Sequence, residues 1–112
     1  MGRKRSSQGT SGNSAIPRPY YNRDLRELWW GNELVKHFKQ RAPDQHLILS
    51  AFEEQGWPRR IDDPLSPRSH EANPKRRLNG AIYRLNLNQL NRLIRFRGDG
   101  TGEGVLWEPR RA

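Results

Sequence analysis

Apolar residues repeat with helical spacing in two separate segments of the chain. The first segment follows Pro43, which suits a first helical position, and stops at Gly56, which suits the residue after a helix. Its apolar residues form one stripe on a helical wheel: Leu47, Ile48, Ala51 and Phe52. The spacing therefore predicts a helix over residues 43–55 that buries one face.

The second segment follows Asn73 and Pro74, a pair that suits an N-cap and a first-turn proline. The residues that share its apolar face are Leu78, Ala81, Ile82 and Leu85. This spacing predicts a second helix, which begins near Lys75 and ends near Asn86 or Asn88.

Residues that favour β-strands flank the dipeptide Gly31-Asn32, which suits the two-residue turn of a hairpin. The segment from Leu25 to Phe38 is therefore predicted to form an antiparallel hairpin. The expected cross-strand pairs are Glu27 with Lys36, Leu28 with Val35, Trp29 with Leu34 and Leu25 with Phe38. A helix over residues 25–39 is the alternative, but glycine and asparagine at its centre weigh against it.

Two short runs near the C-terminus, Leu93 to Phe96 and Val105 to Trp107, flank a glycine-rich turn and predict a second hairpin. Alternation divides the first run into an apolar face and a basic outer face, the pattern of a half-buried strand. The two faces consist of Ile94 and Phe96 on one side, and of Arg95 and Arg97 on the other.

Three segments hold little that can be buried. Residues 1–22 are predicted to form a flexible arm with a basic tip, attached to the domain through Tyr20 and Tyr21. Residues 59–73 are predicted to form a proline-rich loop with one helical turn at most, and residues 110–112 a basic tail. One α+β domain is therefore expected over residues 23–109. The basic tip of the arm consists of Arg3, Lys4 and Arg5.

The charge of the chain is strongly positive and unevenly distributed. Its formal net charge is +9, and the isoelectric point is about 11.0. Residues 1–24 contribute +4, residues 25–58 contribute −1 and residues 59–112 contribute +6. Such a field attracts polyanions, of which nucleic acid is the commonest and an acidic membrane the second.

Several kinds of site are not expected. The chain has no cysteine, which excludes disulfides and thiolate zinc sites. Its histidines, His37, His46 and His70, are too dispersed to predict a metal cluster, and neither a cofactor nor a small-molecule substrate is expected. No apolar run approaches the roughly 20 residues that span a bilayer, and no signal peptide is apparent. A cytoplasmic protein without a membrane partner is the expectation.

The second predicted helix carries a polar face opposite its apolar stripe. Asparagine there is of the type that pairs with adenine, and arginine of the type that pairs with guanine, while cations near the helix start suit phosphates. The residues expected at base edges are Arg76, Asn79, Tyr83 and Arg84. Those expected on phosphates are Lys75, Arg77, Arg95 and Arg97. An ordinary solvated face is the alternative.

Asp62 and Asp63 are adjacent carboxylates of the type that hold a catalytic metal in nucleases. They lack a third ligand at recognisable spacing, and Asp-Asp-Pro is common in turns. The sequence therefore predicts a binding protein rather than an enzyme, with no catalytic residue and no metal site.

The order of these elements resembles the winged helix-turn-helix effector domain of OmpR-type response regulators. The similarity covers Leu25 to Glu108: residues 75–86 are similar to the recognition helix, and residues 94–100 to the start of the wing. It implies a small winged-helix domain whose helix enters the major groove and whose wing contacts the flanking backbone. Residues 59–73 lack a clear middle helix, and phosphorylation-controlled dimerisation is not expected because no receiver domain precedes the helix.

Two functions are compatible with these patterns. The favoured one is duplex DNA binding by the helix over residues 75–86 and the wing over residues 93–107, as in a transcriptional regulator associated with the nucleoid. The alternative is an accessory subunit of a ribonucleoprotein or of a nucleic-acid-processing complex, which binds structured RNA or a protein partner. Both functions require the basic surface.

Overall fold

The computed structural model of the chain describes residues 18–65 and 73–110, which form two helices and two antiparallel three-stranded sheets. The elements are β1 (Pro19–Asn22), β2 (Glu27–Trp30), β3 (Glu33–His37), α1 (Pro43–Gln55), β4 (Arg60–Asp62), α2 (Pro74–Asn86), β5 (Ile94–Gly98) and β6 (Gly104–Pro109). The strand order is β1-β2-β3 in the N-terminal sheet and β4-β6-β5 in the C-terminal sheet. The predicted α+β class is confirmed.

The hairpin predicted around Gly31 is present as β2 and β3, but its register differs from the predicted one. Trp29 lies opposite Leu34 as expected, with Gly31 at a positive φ of 58°. A bulge between Leu28 and Trp29 then shifts the pairing, so that Leu28 lies opposite Lys36. The predicted pairs of Glu27 with Lys36 and of Leu28 with Val35 are therefore wrong. The bulge buries the consecutive side chains of Val35 and Lys36, which strict alternation along a strand cannot do.

The predicted pair of Leu25 and Phe38 is also wrong. Leu25 lies in the turn between β1 and β2, with 58% of its surface exposed, whereas Phe38 is buried. The backbone N–H of Phe38 donates to the carbonyl of Arg26 at 3.0 Å.

Strand β1 occupies residues that the sequence assigned to the flexible arm. Tyr21 is buried, packs edge-on against Phe38 and hydrogen-bonds through its hydroxyl to Nδ1 of His46. Its backbone N–H donates to Oε1 of Glu53 at 2.8 Å. These contacts fasten the N-terminal sheet to α1 and confirm Tyr21 as an anchor, whereas Tyr20 is half exposed. The basic tip of the arm lies outside the described residues.

The core lies between the two helices and the two sheets, and the N-terminal sheet contributes Tyr21, Leu28 and Val35 to it. Helix α1 has the predicted bounds and ends at Gly56, whose φ of 80° is the left-handed conformation that glycine favours. The ring of Trp57 then stacks on Phe52, with ring centroids 4.9 Å apart, and meets Trp107 edge-on. The indole N–H of Trp107 donates to the carbonyl of Pro58 at 2.9 Å. This aromatic stack joins α1 to strand β6.

The prediction of a continuous loop over residues 59–73 is wrong at its start. Residues 60–62 form β4, which pairs with β6, and Ile61 between two polar neighbours is buried. A three-residue strand has no signal of its own, because its partner lies more than forty residues later in the chain. The expected turn chemistry at Asp63 is present, since its Oδ1 accepts from the N–H of Leu65 at 2.8 Å. Residues 66–72 lie outside the described part of the chain.

Two polar side chains fix the C-terminal end of α2. The side-chain amide of Asn86 both donates to the carbonyl of Phe96 and accepts from its N–H, each at 2.8 Å. Lys36 reaches from the N-terminal sheet and donates through Nζ to the carbonyl of Arg84 at 2.5 Å and to Oε1 of Gln45 at 3.4 Å. Helix α2 is thereby held by the strand next to it and by the N-terminal sheet.

Lys36 generates a prediction about stability. Burial lowers the pKa of Lys36 from 10.5 to about 8, so between these pH values the unfolded chain binds more protons than the folded one. The free energy of unfolding should therefore increase with pH, by about 2 kcal/mol between roughly pH 7 and pH 10. Denaturant titrations across this range measure the increase. The matched control is Lys36→Met, and an equal increase in this variant would contradict the assignment.

The upper limit of that range is set by Tyr21. Burial raises the pKa of Tyr21 to about 12, so the folded state keeps this proton after the unfolded chain has lost it, and stability falls above pH 10.

Candidate nucleic-acid interface

The exposed face of α2 carries all four residues that the sequence predicted at base edges. The helix begins as predicted, since the side chain of Asn73 accepts from the N–H of Arg76 at 3.0 Å. The predicted apolar stripe is buried against the core: Leu78, Ala81, Ile82 and Leu85. Because that stripe faces inward, the opposite face is left to solvent, and it presents Lys75, Arg76, Asn79, Tyr83 and Arg84.

An open depression of about 640 Å³ lies over this face, and Arg76, Asn79, Tyr83 and Arg84 all contribute to its lining. Gly80 lies at its floor. A Cβ at Gly80 would stand 3.2 Å from Nη1 of Arg84, so the absence of a side chain makes room for this guanidinium against the helix. Tyr83 has 64% of its surface exposed, so its ring and hydroxyl are open to solvent beside the arginines.

The arginines of α2 differ in whether a carboxylate holds them. Within the part of the chain that the structure describes, neither Arg76 nor Arg84 forms an ion pair. Arg77 instead donates to both carboxylate oxygens of Asp44 in α1, through Nε at 3.0 Å and Nη2 at 2.8 Å. The side chains of Arg77 and Asp44 are only 13% and 23% exposed. The predicted phosphate contact of Arg77 is therefore corrected to a structural ion pair between the helices.

The tip of the C-terminal hairpin, residues 99–103, is fixed by its own hydrogen bonds. Oδ1 of Asp99 accepts from the N–H of Thr101 at 2.9 Å and from its hydroxyl at 2.7 Å, and Oδ2 accepts from Nε of Arg60 at 2.8 Å. These bonds, first from Thr101 and then from Arg60, lower the pKa of Asp99 to about 2. A Cβ at Gly104 would lie 2.6 Å from Nε of Arg60, so only glycine leaves space for this arrangement.

This hairpin tip lies beside the first turns of α2. Lys75 extends over Gly102, where a Cβ would stand 2.6 Å from its Cδ. Asn79 lies next to Gly98, where a Cβ would stand 3.6 Å from its Oδ1. The exposed face of α2 and the hairpin tip therefore form one continuous surface.

Arg95 and Arg97 do not belong to that surface. Ile94 and Phe96 are buried toward the core, and alternation along β5 directs the two arginines to the other face of the sheet. There they flank Glu108 of β6, at 3.8 Å from Arg95 and 3.5 Å from Arg97. The predicted basic outer face is confirmed, but it lies on the side of the sheet away from α2.

The two described parts of the chain differ in net charge. Residues 18–65 hold eight basic and eight acidic side chains, whereas residues 73–110 hold eight basic and three acidic ones. The positive charge of this part therefore originates mainly from α2, because the hairpin from β5 to β6 holds two basic and three acidic side chains. Sequence reasoning missed Arg60 and Asp99 as the pair that fixes the tip; the spacing of Asp99 and Thr101 is the local signal that could have indicated a side-chain turn.

The other residues considered for chemistry have structural contacts. Oδ1 of Asp62 accepts from Nη1 of Arg60 at 2.7 Å, and His46 pairs with Tyr21. Among the described residues, no group of three His, Cys, Asp or Glu side chains is arranged to hold a metal ion. Neither α1 nor α2, the helices of the described residues, is long and apolar enough to cross a membrane. His70 lies outside the described part of the chain.

Comparison of the chain with protein-family models, with curated proteins and with solved structures finds no match in any of the three. The function is therefore inferred from the residues and their arrangement.

The ion pair of Arg77 and Asp44 predicts that Arg77 contributes to the stability of the fold, whereas the exposed arginines of α2 do not. Arg77→Ala should lower the free energy of unfolding by about 1–3 kcal/mol, because it leaves a partly buried carboxylate without its bidentate partner. Arg77→Lys keeps the charge but loses the planar fork, so it should also destabilise.

A double-mutant cycle with Asp44→Asn, measured by urea unfolding, should give a coupling energy of about 1 kcal/mol or more. Arg76→Ala is the matched control on the same turn of α2, and it should change stability by less than about 0.5 kcal/mol. Additive effects of the Arg77 and Asp44 substitutions would contradict a stabilising ion pair between the two helices.

Proposed function

We propose that this protein binds duplex nucleic acid, DNA in preference to RNA, through the exposed face of α2 and the tip of the C-terminal hairpin. The observation that carries the proposal is the pair Arg76 and Arg84. Both are exposed, both lack an ion-pair partner among the described residues, and both line one depression with Asn79 and Tyr83. Unpaired guanidinium groups beside an amide and a phenol are the side chains that read base edges.

The order of the elements supports a winged-helix fold within the α+β class. Helix α1, the short strand β4, helix α2 and the hairpin β5–β6 follow one another, and β6 lies between β4 and β5. In this proposal α2 is the recognition helix and the hairpin is the wing. The preceding N-terminal sheet adds to the similarity with the OmpR-type effector domain. A helix between β4 and α2 is not among the described elements.

The fit to the major groove follows from dimensions and charge. The groove is about 12 Å wide and admits a helix, and α2 contains four cationic side chains and no acidic one. Asn79 suits adenine, and Arg76 and Arg84 suit guanine. Lys75 at the first turn suits the flanking phosphates, and it extends over Gly102 of the hairpin tip, which brings this cation to the side of the tip.

The other cations that the sequence predicted at the interface have different roles in this proposal. Arg77 positions α2 through Asp44, while Arg95 and Arg97 lie across the sheet and contribute to the general field rather than to the groove. Arg3, Lys4 and Arg5 at the tip of the arm are proposed to add phosphate contacts. The proposed role is binding rather than catalysis, and it requires no cofactor and no metal.

A panel of ligands tests the choice of partner. Purified protein is titrated into fluorescent duplex DNA, single-stranded DNA and structured RNA of equal charge, at about 0.15 M salt. Tightest binding to duplex DNA is expected. A strong preference for structured RNA, or binding to none of the three, would contradict duplex recognition and favour the accessory subunit of a ribonucleoprotein.

A set of substitutions tests which surface is used. Arg76→Ala and Arg84→Ala should each weaken binding to a selected duplex by about 1–3 kcal/mol and relax base preference, whereas Lys75→Ala should weaken all duplexes and lower the salt slope by about 1. The control is Arg95→Ala with Arg97→Ala, which removes two positive charges from the other face of the sheet. If this control weakens binding more than Arg76→Ala with Arg84→Ala, the interface lies on the sheet and not on α2.

A further inference from the structure

A second set of arginines without ion-pair partners adjoins the interface on α2. Arg23 and Arg26 lie in the turn between β1 and β2, and Arg41 lies just before α1. All three are exposed, and none forms an ion pair within residues 18–65 and 73–110. We propose that these residues, the arginine track, bind the sugar-phosphate backbone of the same duplex that α2 contacts. This inference rests on the proposed function and extends its footprint.

Adjoining depressions join the track to α2. The depression over α2 includes Arg84 and Asp44. A second one, of about 190 Å³, shares these two residues and adds Arg41. A third, of about 300 Å³, shares Arg41 and adds Arg23 and Arg26. A sugar-phosphate backbone that extends from the α2 face past Arg84 therefore meets Arg41 and then Arg23 and Arg26.

No carboxylate forms an ion pair with the track among the described residues, although Asp24 lies between Arg23 and Arg26 in the same turn. Within the described residues, the only carboxylate that lines the three depressions is that of Asp44, which Arg77 already engages. Burial and then the positive charge of Arg26 lower the pKa of the nearby His46, so this ring adds no charge near neutral pH. Ala42 precedes the first turn of α1 here and provides no side-chain cap, and the N-terminal dipole of the helix adds positive potential. Three like charges in this setting repel each other until a polyanion lies across them.

The spacing of cations favours a phosphate backbone over a single anion. The arginines of the β1–β2 turn and of the segment before α1 line one open depression together, and Arg41 also lines the next depression, which continues to Arg84. A chain of phosphates, in which charges repeat at regular intervals, matches such a series.

The backbone conformation at Arg26 suits asparagine, so replacing Arg26 with asparagine removes the charge and should preserve the fold. The φ of Arg26 is 57°, in the left-handed region that asparagine adopts with less strain than arginine. Arg26→Asn should therefore leave thermal stability unchanged or raised. Any loss of binding by this variant then reports on the lost charge.

The experiment compares a track variant, Arg23→Ala with Arg26→Asn and Arg41→Ala, with a control variant of equal charge. The control is Arg92→Ala with Arg95→Ala and Arg97→Ala, which removes three positive charges elsewhere. Both variants and the wild type are titrated into a duplex of about one helical turn and one of about two turns, over a range of salt concentrations. Thermal unfolding and the single variant Arg26→Asn establish that the fold is intact.

On the longer duplex the track variant should bind about tenfold more weakly than the wild type and show a salt slope lower by about 2 to 3. On the shorter duplex, which α2 alone can occupy, the two should bind alike. Equal affinity of track and control variants for the longer duplex would overturn the track while leaving the α2 interface intact. No binding of the wild type to either duplex would overturn both proposals. Binding to anionic lipid vesicles that depends on the track, with no effect on duplex binding, would also overturn the inference.

Discussion

Helix α2 can turn only one face to solvent because its other contacts are fixed. Its apolar stripe packs on β5, and the side-chain amide of Asn86 clamps both backbone groups of Phe96. Lys36 from the N-terminal sheet holds the carbonyl of Arg84, and Asp44 of α1 holds Arg77. Rotation of the helix by a fraction of a turn would break several of these contacts together. The polar face is therefore preorganised, which lowers the entropic cost of binding a rigid partner.

The pairing of charges then divides the basic residues into two groups. One group is held by carboxylates and belongs to the architecture: Arg60 at the hairpin tip, Arg77 between the helices, and Arg95 and Arg97 beside Glu108. The other group has no ion-pair partner among the described residues, and it includes Arg76 and Arg84 on the α2 face and the arginine track beside that face. A net charge alone does not distinguish these groups. The presence or absence of an ion pair distinguishes them, because a guanidinium without a carboxylate partner can bind a phosphate without first breaking an existing bond.

Local signals explain what could be predicted from the sequence. The bounds of α1, the N-cap at Asn73 and the buried stripe of α2 follow from spacing and capping within a few residues. Two of the errors involve distant partners. Strand β4 is formed by pairing with β6, and Arg77 is held by Asp44, which lies 33 residues earlier.

The bulge and the placement of the hairpin arginines have the same origin. The shift in register accompanies burial of Lys36, whose bond partner is a carbonyl of α2, 48 residues later. Alternation along β5 correctly gave Arg95 and Arg97 a common face, but only the packing of α2 determines which side of the sheet that face occupies. The part of the candidate site that lies on α2 was therefore predictable from the sequence. The contact of α2 with the hairpin tip, where Lys75 extends over Gly102, was not.

The most direct measurement is the change in backbone amide NMR shifts when a duplex is added to the labelled protein. Shift changes are expected on the exposed face of α2, at Arg76, Asn79, Tyr83 and Arg84, and in the hairpin tip around Gly102, with little change at Arg95. Changes confined to Arg95 and Arg97, or none at a duplex excess that saturates binding, would contradict it.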